Sequence, residues 1–594
     1  MCGIVGYIGH RAAQPVLVNC LKRLEYRGYD SCGIALLGKN VEIYKDAVRI
    51  EALEPKLRSN TSKAGIGHTR WATHGKPSQK NAHPHADCTG KIAVVHNGVI
   101  DNYLQLREQL TREGHTFCSD TDTEVIPHLI EKYFKGDLQE AVSKAIGDIS
   151  GSYAFAAIHA DWDGMVVARN ESPLILGVGD KENLVASDVP AVLDYTDRVI
   201  YLEDGDIGVI TRDEVRCFRN GKQIEREVHR IPWGIEEAQK AGYAHFMIKE
   251  IHEQPRVIRN TYKGYISALE PVVNLGIQKD AGFNDILFIA CGTSYYAALV
   301  GQQVIQSLTQ IPVRVEIASE FNYSDTVLGR TWVIVITQSG ETADVMRALK
   351  KAKEVGCRTL AITNVIGSSA TRIADETLYI TAGPEICVAA TKSFIAQLTM
   401  LYLLALAWAS GDIRTRVSMT TELRQIPDKV QQLIDREEEI AAYGKYLAKY
   451  ENVFFVGRGL NYPVALEGAL KLKEISYIHA EGYPAGELKH GPFALLTPKT
   501  PVVAIAARDN TYDTLMANIK EIKARESPVL AIAEEGDIEI EKYVDFVVRV
   551  PKVSPIFSPV VNAVALQLLA YYTAKERGCS IDTPRNLAKS VTVE

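Results

Sequence analysis

Apolar residues fall in short runs along the first third of the chain. CGIVGYIG (2–9), SCGIALL (31–37), KIAVVHNG (91–98) and SYAFAAIHA (152–160) each read as a strand. Helices are predicted between them over about 102–113 and 123–134. Strands in runs, without strict alternation with helices, point to an α+β fold with antiparallel sheets over residues 2 to about 215. Near Arg230 the pattern changes. IPWGIEEAQKAGYAHFMIKEIHEQP is charged, low in strand signal and contains two prolines, so 218–276 reads as a connection followed by helix.

From about residue 285 the chain repeats a strand, a Gly-rich turn and a helix. DILFIACGTS (285–294), WVIVITQSGET (332–342) and TLAITN (359–364) carry the strands, as expected of a parallel sheet covered by helices. The same elements return in NVFFVGRGLN (452–461), VVAIA (502–506) and PVLAIA (528–533). Two α/β lobes of one ancestry follow from this repeat, and such lobes often share a site where they meet. The expected domains are 2–217, a connection at 218–276, a first lobe at 277–415, a charged helical connector at 416–443, a second lobe at 444–585 and a tail at 586–594.

Length and charge restrict the function. The 594 residues suffice for three to four domains of ordinary size, and a net charge of -7 without a long basic run argues against nucleic-acid binding. Ten cysteines stand without a CxxC pair, so their spacing indicates neither zinc nor a disulfide framework, and a cytoplasmic protein is expected. FIAQLTMLYLLALAWA (394–409) is short of the ~20 apolar residues of a membrane span and carries Gln397 and Thr399, so it reads as a buried core helix. No membrane association is expected.

Cys2 gives the chain its first candidate chemistry. Once Met1 is trimmed, one residue carries a thiol and a free α-amino group, with reference pKa values of ~8.5 and ~7.7–8.0. The amine can take the thiol proton near neutral pH, which makes a nucleophile with its own base. Downstream, Asn97 and Gly98 can donate an NH₂ and a backbone N–H to a developing oxyanion. Arg70 suits a carboxylate, and Asp122 an ammonium group. Each also has an ordinary reading: a hairpin turn at Asn97-Gly98, a helix cap at Asp122, a surface ion pair at Arg70.

Taken together, CGIVGYIG, LEYRGYDSCGIAL, GHTRWATHGKPSQKNAHPH, VVHNG and SDTDTE resemble the class II glutamine amidotransferases. That resemblance covers about the first 215 residues. It implies the αββα sandwich of an N-terminal-nucleophile hydrolase, with Cys2 forming a glutamyl thioester and Asn97 and Gly98 as the oxyanion hole. It places Arg70, Thr73, His74 and Asp122 on the glutamine side, Arg27 and His83 nearby, and Trp71 as the gate to an ammonia passage.

In the second half, ITQSGET (336–342) and CGTS (291–294) are strand-to-helix turns rich in hydroxyls and free N–H groups. They suit a phosphate, or are plain helix caps. EGALKLKEISYIHAEGYPAGELKHGPFAL (467–495) holds Lys471, Lys473, Glu474, Glu487, Lys489 and His490. Lys471 and Glu474, three apart, share a helix face, as a solvated ion pair or as chemistry in an apolar setting. The tail DTPRNLAKSVTVE carries Lys589 and looks made to dock.

Residues 285–594 resemble paired sugar-isomerase (SIS) domains. Joined to the first module, they resemble the amidotransferases that build an amino sugar phosphate from L-glutamine and fructose 6-phosphate. The resemblance implies that His490 opens the sugar ring, Lys589 holds the ketose as a Schiff base, and Glu474 moves a proton between C1 and C2 with help from Lys471. Thr293, Ser294, Thr337, Gln338, Ser339, Thr342 and Val388 would bind the sugar phosphate. It implies no metal or organic cofactor, and pairing of the isomerase halves in a homodimer, in which a neighbour can lend His490. Two positions depart from the family pattern: Thr337 stands for a serine, keeping the hydroxyl, and Ala390 replaces a residue that is often serine. The alternatives are a relative acting on another sugar phosphate and a sugar-phosphate sensor fused to a glutaminase.

Overall fold

The computed structural model describes residues 2–71, 75–231, 239–267, 272–277, 282–325, 328–410 and 412–591. The chain forms two compact units, one of residues 1–238 with 588–594, the other of residues 239–587.

The first unit contains an eight-stranded and a seven-stranded sheet, with antiparallel pairing throughout. Period-two alternation explains how they stack. Ala93 and Val95 face the other sheet, in one cluster with Ile4, Ile66, Ala154 and Ala156. Ile92, Val94, Phe155 and Ala157 face the opposite way, onto Leu106, Ile126, Leu129 and Val142 of three helices. The helix Ala13–Lys22 covers the eight-stranded sheet, where Leu21 lies against Gly67. The order is helix, sheet, sheet, helix, the αββα arrangement expected from the sequence. Cys2 directly precedes Gly3–Gly9, an interior strand paired with Ala64–Arg70 and Glu182–Ala186.

Lys222–Ile224 and Val228–Arg230 fall within the stretch that reads as a connection, yet each forms the outermost strand of one of these sheets. Short, charged edge strands bury little apolar surface, so they leave a weak hydrophobic signal.

The second unit contains two five-stranded parallel sheets of identical topology. In each, the second strand in chain order lies at one edge, followed by the first, third, fourth and fifth. The first sheet uses Asp285–Ala290, Val313–Ile317, Thr331–Thr337, Arg358–Thr363 and Glu376–Tyr379. The other uses Asn452–Gly457, His479–Pro484, Val502–Ala506, Val529–Glu534 and Phe546–Val550. One core runs through both lobes, from Ile286 and Phe288 through Phe394 and Leu401 to Phe455 and Val503. The helix Lys392–Trp408 is apolar on every side because every side is packed. Pro555–Glu576 is long and apolar enough to cross a membrane, but 89% of its most apolar window is buried inside the unit. The helices Ile413–Ile434 and Glu437–Leu447 lie between the two sheets in the chain.

Candidate active sites

The pairing of Gly3 with Thr69 brings Cys2 beside Trp71. The Trp71 N–H donates to Cys2 Sγ at 3.2 Å. Burial pushes the thiol up, while the Trp71 N–H and nearby Arg70 favour the thiolate. Asn97 Nδ2 donates to the Cys2 carbonyl at 2.9 Å. The strand carrying Asn97 continues to Ile100 and pairs Gly98 with Tyr153, so Asn97-Gly98 is no hairpin turn. Gly98 has φ +130°, and a Cβ there would lie 2.1 Å from the Ser152 carbonyl oxygen.

His68, which the sequence did not single out, fixes the Asn97 amide. Its Nε2 lies 3.0 Å from both Asn97 Oδ1 and the His96 carbonyl. Two oxygens on one ring nitrogen require an N–H there, which leaves the Asn97 NH₂ pointing at Cys2. Burial pushes the His68 pKa down to about 3, so the ring is neutral. His83 stacks on His68 with ring centroids 4.1 Å apart, and burial likewise drives its pKa well down. Its Nδ1 accepts the His96 N–H at 3.4 Å, so His83 belongs to the support behind Asn97.

Arg70 is 4% exposed, which excludes a surface ion pair. It donates to the Gly75 carbonyl at 3.2 Å; burial lowers its pKa, opposed by Cys2, Asp122 and Asp30. Asp122 is buried and accepts the Ile100 N–H at 2.9 Å, while the N-cap of the helix Val125–Tyr133 is Glu124, with no side-chain capping hydrogen bond among the described residues. Arg27 pairs with Asp188, to which Tyr26 also donates, at 2.6 Å. Trp71 meets Tyr29 edge-on at 6.1 Å. Thr73 and His74 lie outside the described residues.

In the second unit, a sheet ordered 2-1-3-4-5 has its switch point between the first and third strands, where ligands bind outside the carboxyl ends. Thr293 and Ser294 follow the first strand, Thr337 ends the third, and Gln338, Ser339 and Thr342 follow it. Thr337 Oγ1 accepts the Gly340 N–H at 3.2 Å and lies 3.3 Å from Thr342 Oγ1, and Ser339 Oγ accepts the Glu341 N–H at 3.2 Å. Gly340 has φ +68°, and a Cβ there would collide with Ser368. The N-cap residues Cys291 and Thr342 of the helices Gly292–Thr309 and Ala343–Glu354 make no side-chain capping hydrogen bond among the described residues. Ser294 Oγ accepts from Gln397 at 2.9 Å. Val388 is buried and donates its N–H to the Asp582 carbonyl at 3.0 Å.

The helix Tyr462–Ser476 of the other lobe packs on Gly292–Thr309 and brings charge to this point. Lys471 is 1% exposed, so it is not half of a solvated pair. Its Nζ lies 2.6 Å from Glu474 Oε2, 3.2 Å from Thr293 Oγ1 and 3.6 Å from Glu467 Oε1. The Thr293 hydroxyl also reaches Glu467 at 3.3 Å. Burial disfavours the Lys471 cation, but Glu467 and Glu474 outweigh it and raise its pKa. Burial pushes Glu467 up to about 8, against the pull of Lys471. Glu467 is the member that sequence reasoning missed; its signal was the four-residue spacing to Lys471.

Thr293, Lys471, Glu467 and Glu474 are therefore joined in one chain. His490 is exposed at the end of the 3₁₀ segment Ala485–His490, and no hydrogen bond or ion pair ties it to this group among the described residues. Lys589 lies in the tail grouped with the first unit.

Comparison with known proteins follows the same division. A glutamine amidotransferase domain model matches residues 68–194, and a SIS domain model matches twice, at 282–407 and 446–577. The chain is 51% identical to the glutamine–fructose-6-phosphate aminotransferase (isomerizing) of Methanosarcina acetivorans and 50% identical to that of Caldanaerobacter subterraneus, in both cases over 100% of each chain. Among solved structures, the C-terminal domain of glucosamine-fructose-6-phosphate aminotransferase from Francisella tularensis is 37% identical, with a TM-score of 0.55, over 58% of this chain and 99% of that one. With full-length likeness at about half identity, the chain belongs to the glutamine–fructose-6-phosphate aminotransferase (isomerizing) family.

Proposed function

We propose that the protein makes glucosamine 6-phosphate and glutamate from fructose 6-phosphate and L-glutamine. The thiolate of Cys2 attacks the glutamine side-chain amide, and Asn97 and Gly98 stabilise the oxyanion. Ammonia leaves, and water hydrolyses the thioester to glutamate. Arg70 and Asp122 hold the glutamine backbone charges, and Thr73 and His74 bind the same substrate. On the sugar, His490 opens the ring and Lys589 forms an imine at C2 with loss of water. Ammonia, passed at Trp71, displaces the lysine. Glu474, held by Lys471 at 2.6 Å, then moves a proton from C1 to C2, which turns the ketose imine into the aldose amine. The hydroxyls of Thr293, Ser294, Thr337, Ser339 and Thr342, with Gln338 and Val388, form the sugar-phosphate side.

The observation that carries this reading is the Thr293–Lys471–Glu474 cluster at the switch point, in which Lys471 is buried and its two partners are half-buried. A sugar-phosphate sensor has no use for a lysine and a carboxylate held together in the core, where unpaired charge is costly. We further read the chain as a homodimer through its SIS domains, because an exposed His490 is free to complete a neighbour's site. All ten cysteines are free, in keeping with a reducing cytoplasm. The test is to incubate the full chain with glutamine and fructose 6-phosphate and identify products by NMR. Glucosamine 6-phosphate and glutamate in equal amounts are expected. Glutamate alone, or an amine on a different sugar phosphate only, would overturn the proposal.

A further inference from the structure

Away from Cys2, one corner of the first unit gathers four metal-binding side chains. Cys88 follows the short strand His85–Ala86, and His115 follows the helix Tyr103–Arg112. His128 and Glu131 lie three apart on one face of the helix Val125–Tyr133. One ligand atom from each falls within 4.8 Å of all the others.

The spacing is more specific than proximity. Cys88 Sγ is 3.7 Å from His115 Nδ1 and 3.5 Å from His128 Nδ1. Glu131 Oε2 is 3.0 Å from His115 Nδ1 and 3.4 Å from His128 Nδ1. Tetrahedral zinc, with bonds of about 2.3 Å to sulfur and about 2.0–2.2 Å to nitrogen and oxygen, gives sulfur–nitrogen edges of about 3.5 Å and nitrogen–oxygen edges of about 3.4 Å. The sulfur edges of 3.7 and 3.5 Å and the Glu131–His128 edge of 3.4 Å agree with these values, and the Glu131–His115 edge of 3.0 Å is shorter. Hydrogen bonding alone explains less: each Nδ1 faces both the carboxylate and the sulfur, so the donors converge on one point instead of pairing off.

The surroundings are those of a ligand set as well. Cys88 Sγ accepts the Thr116 N–H at 3.3 Å, and the Cys88 N–H donates to Glu131 Oε2 at 3.2 Å. His128 is 1% exposed, and its other ring nitrogen has no hydrogen-bond partner among the described residues but faces the Glu124 carboxylate at 4.0 Å. A carboxylate behind a ligating imidazole is a common support for zinc.

We infer that Cys88, His115, His128 and Glu131 form a zinc site. Four protein ligands close the coordination sphere, so its role is structural, not catalytic. The metal bonds to the Cys88 thiolate, whose proton goes to solvent, and to two neutral imidazoles and one carboxylate oxygen. It would tie the Cys88 and His115 loops to the helix that follows the Asp122 segment. The cysteine spacing gives no hint of this, because the ligands come from three separate elements.

The test uses the full chain carrying Cys2→Ala, which removes the other candidate thiol. Stripped of metal and titrated with cobalt(II), it should bind about one equivalent, with the strong visible bands of a tetrahedral ion and a sulfur-to-cobalt charge-transfer band. Zinc should displace the cobalt and raise the melting temperature. In Cys88→Ser the charge-transfer band should vanish and zinc affinity should fall by at least about tenfold. His115→Gln, at a partly exposed position, should weaken binding similarly and serves if Cys88→Ser fails to fold. Absence of stoichiometric cobalt binding, an octahedral spectrum, or bands unchanged by Cys88→Ser would overturn the assignment.

Discussion

Adding one methyl group at Gly98 tests the glutaminase half most sharply. An alanine Cβ there would lie 2.1 Å from the Ser152 oxygen, 2.7 Å from its carbonyl carbon and 2.9 Å from Tyr153 Cα. All three atoms are backbone of the paired strand, so no side chain can rotate away. Ordinary contact needs roughly 3.5 Å, so residue 98 or its neighbour must move by about 1 Å. The residue also has φ +130°, a region that costs a non-glycine residue about 1–3 kcal/mol. Gly98→Ala should therefore destabilise the first unit by about 2 kcal/mol, which lowers its melting temperature by roughly 4–8 °C. Displacing an oxyanion donor by about 1 Å should cost about 10²-fold in glutaminase kcat, with KM for glutamine changed little. The assay is glutamate release in the presence of fructose 6-phosphate, beside a calorimetric melt. A folded variant with near-normal kcat would refute Gly98 as part of the oxyanion hole.

Cys2→Ala should abolish glutamate release and leave isomerisation of the sugar phosphate intact; loss of both activities in folded protein would contradict separate sites. Asn97→Ala should lower glutaminase kcat by about 10²–10³-fold, and His68→Ala should lower it less, since His68 only orients Asn97; equal losses on glutamine turnover would count against that order. Glu467 has its folded pKa at about 8, above its ordinary 4.5, so the folded state keeps a proton that the unfolded chain has lost. Stability should fall as pH rises from the unfolded value through about 8, by about 1–3 kcal/mol between pH 6 and pH 8. Glu467→Gln should flatten that fall, and parallel melting curves across pH for the two proteins would show the reasoning to be wrong. Borohydride added with fructose 6-phosphate should label Lys589, read by peptide mass spectrometry; label on another lysine would reassign the imine.

Much of the architecture was legible because its signals are local. The alternation Ile92-Ala93-Val94-Val95 already assigns two faces to a strand, and the return of strand, turn and helix near residue 452 already announces a second lobe. Lys222–Ile224 and Val228–Arg230 escaped notice because edge strands bury too little to leave a pattern. Asn97, Arg70 and Asp122 were nameable beside Cys2, but each of the three retained an ordinary alternative that strand pairing, burial and hydrogen bonding spoke against.

By itself, then, the sequence determined the apolar central strands, that the α/β lobe is doubled, and which residue types carry the chemistry, since side-chain period and covalent identity need no partner from afar. Only the tertiary structure decided how those groups are held and charged. His68 turns the Asn97 amide toward Cys2, the core raises the Glu467 pKa, and Lys471 meets Thr293 from the other lobe. Direction, dielectric and distance arise when elements far apart in the chain pack together, and no run of residues records them in advance.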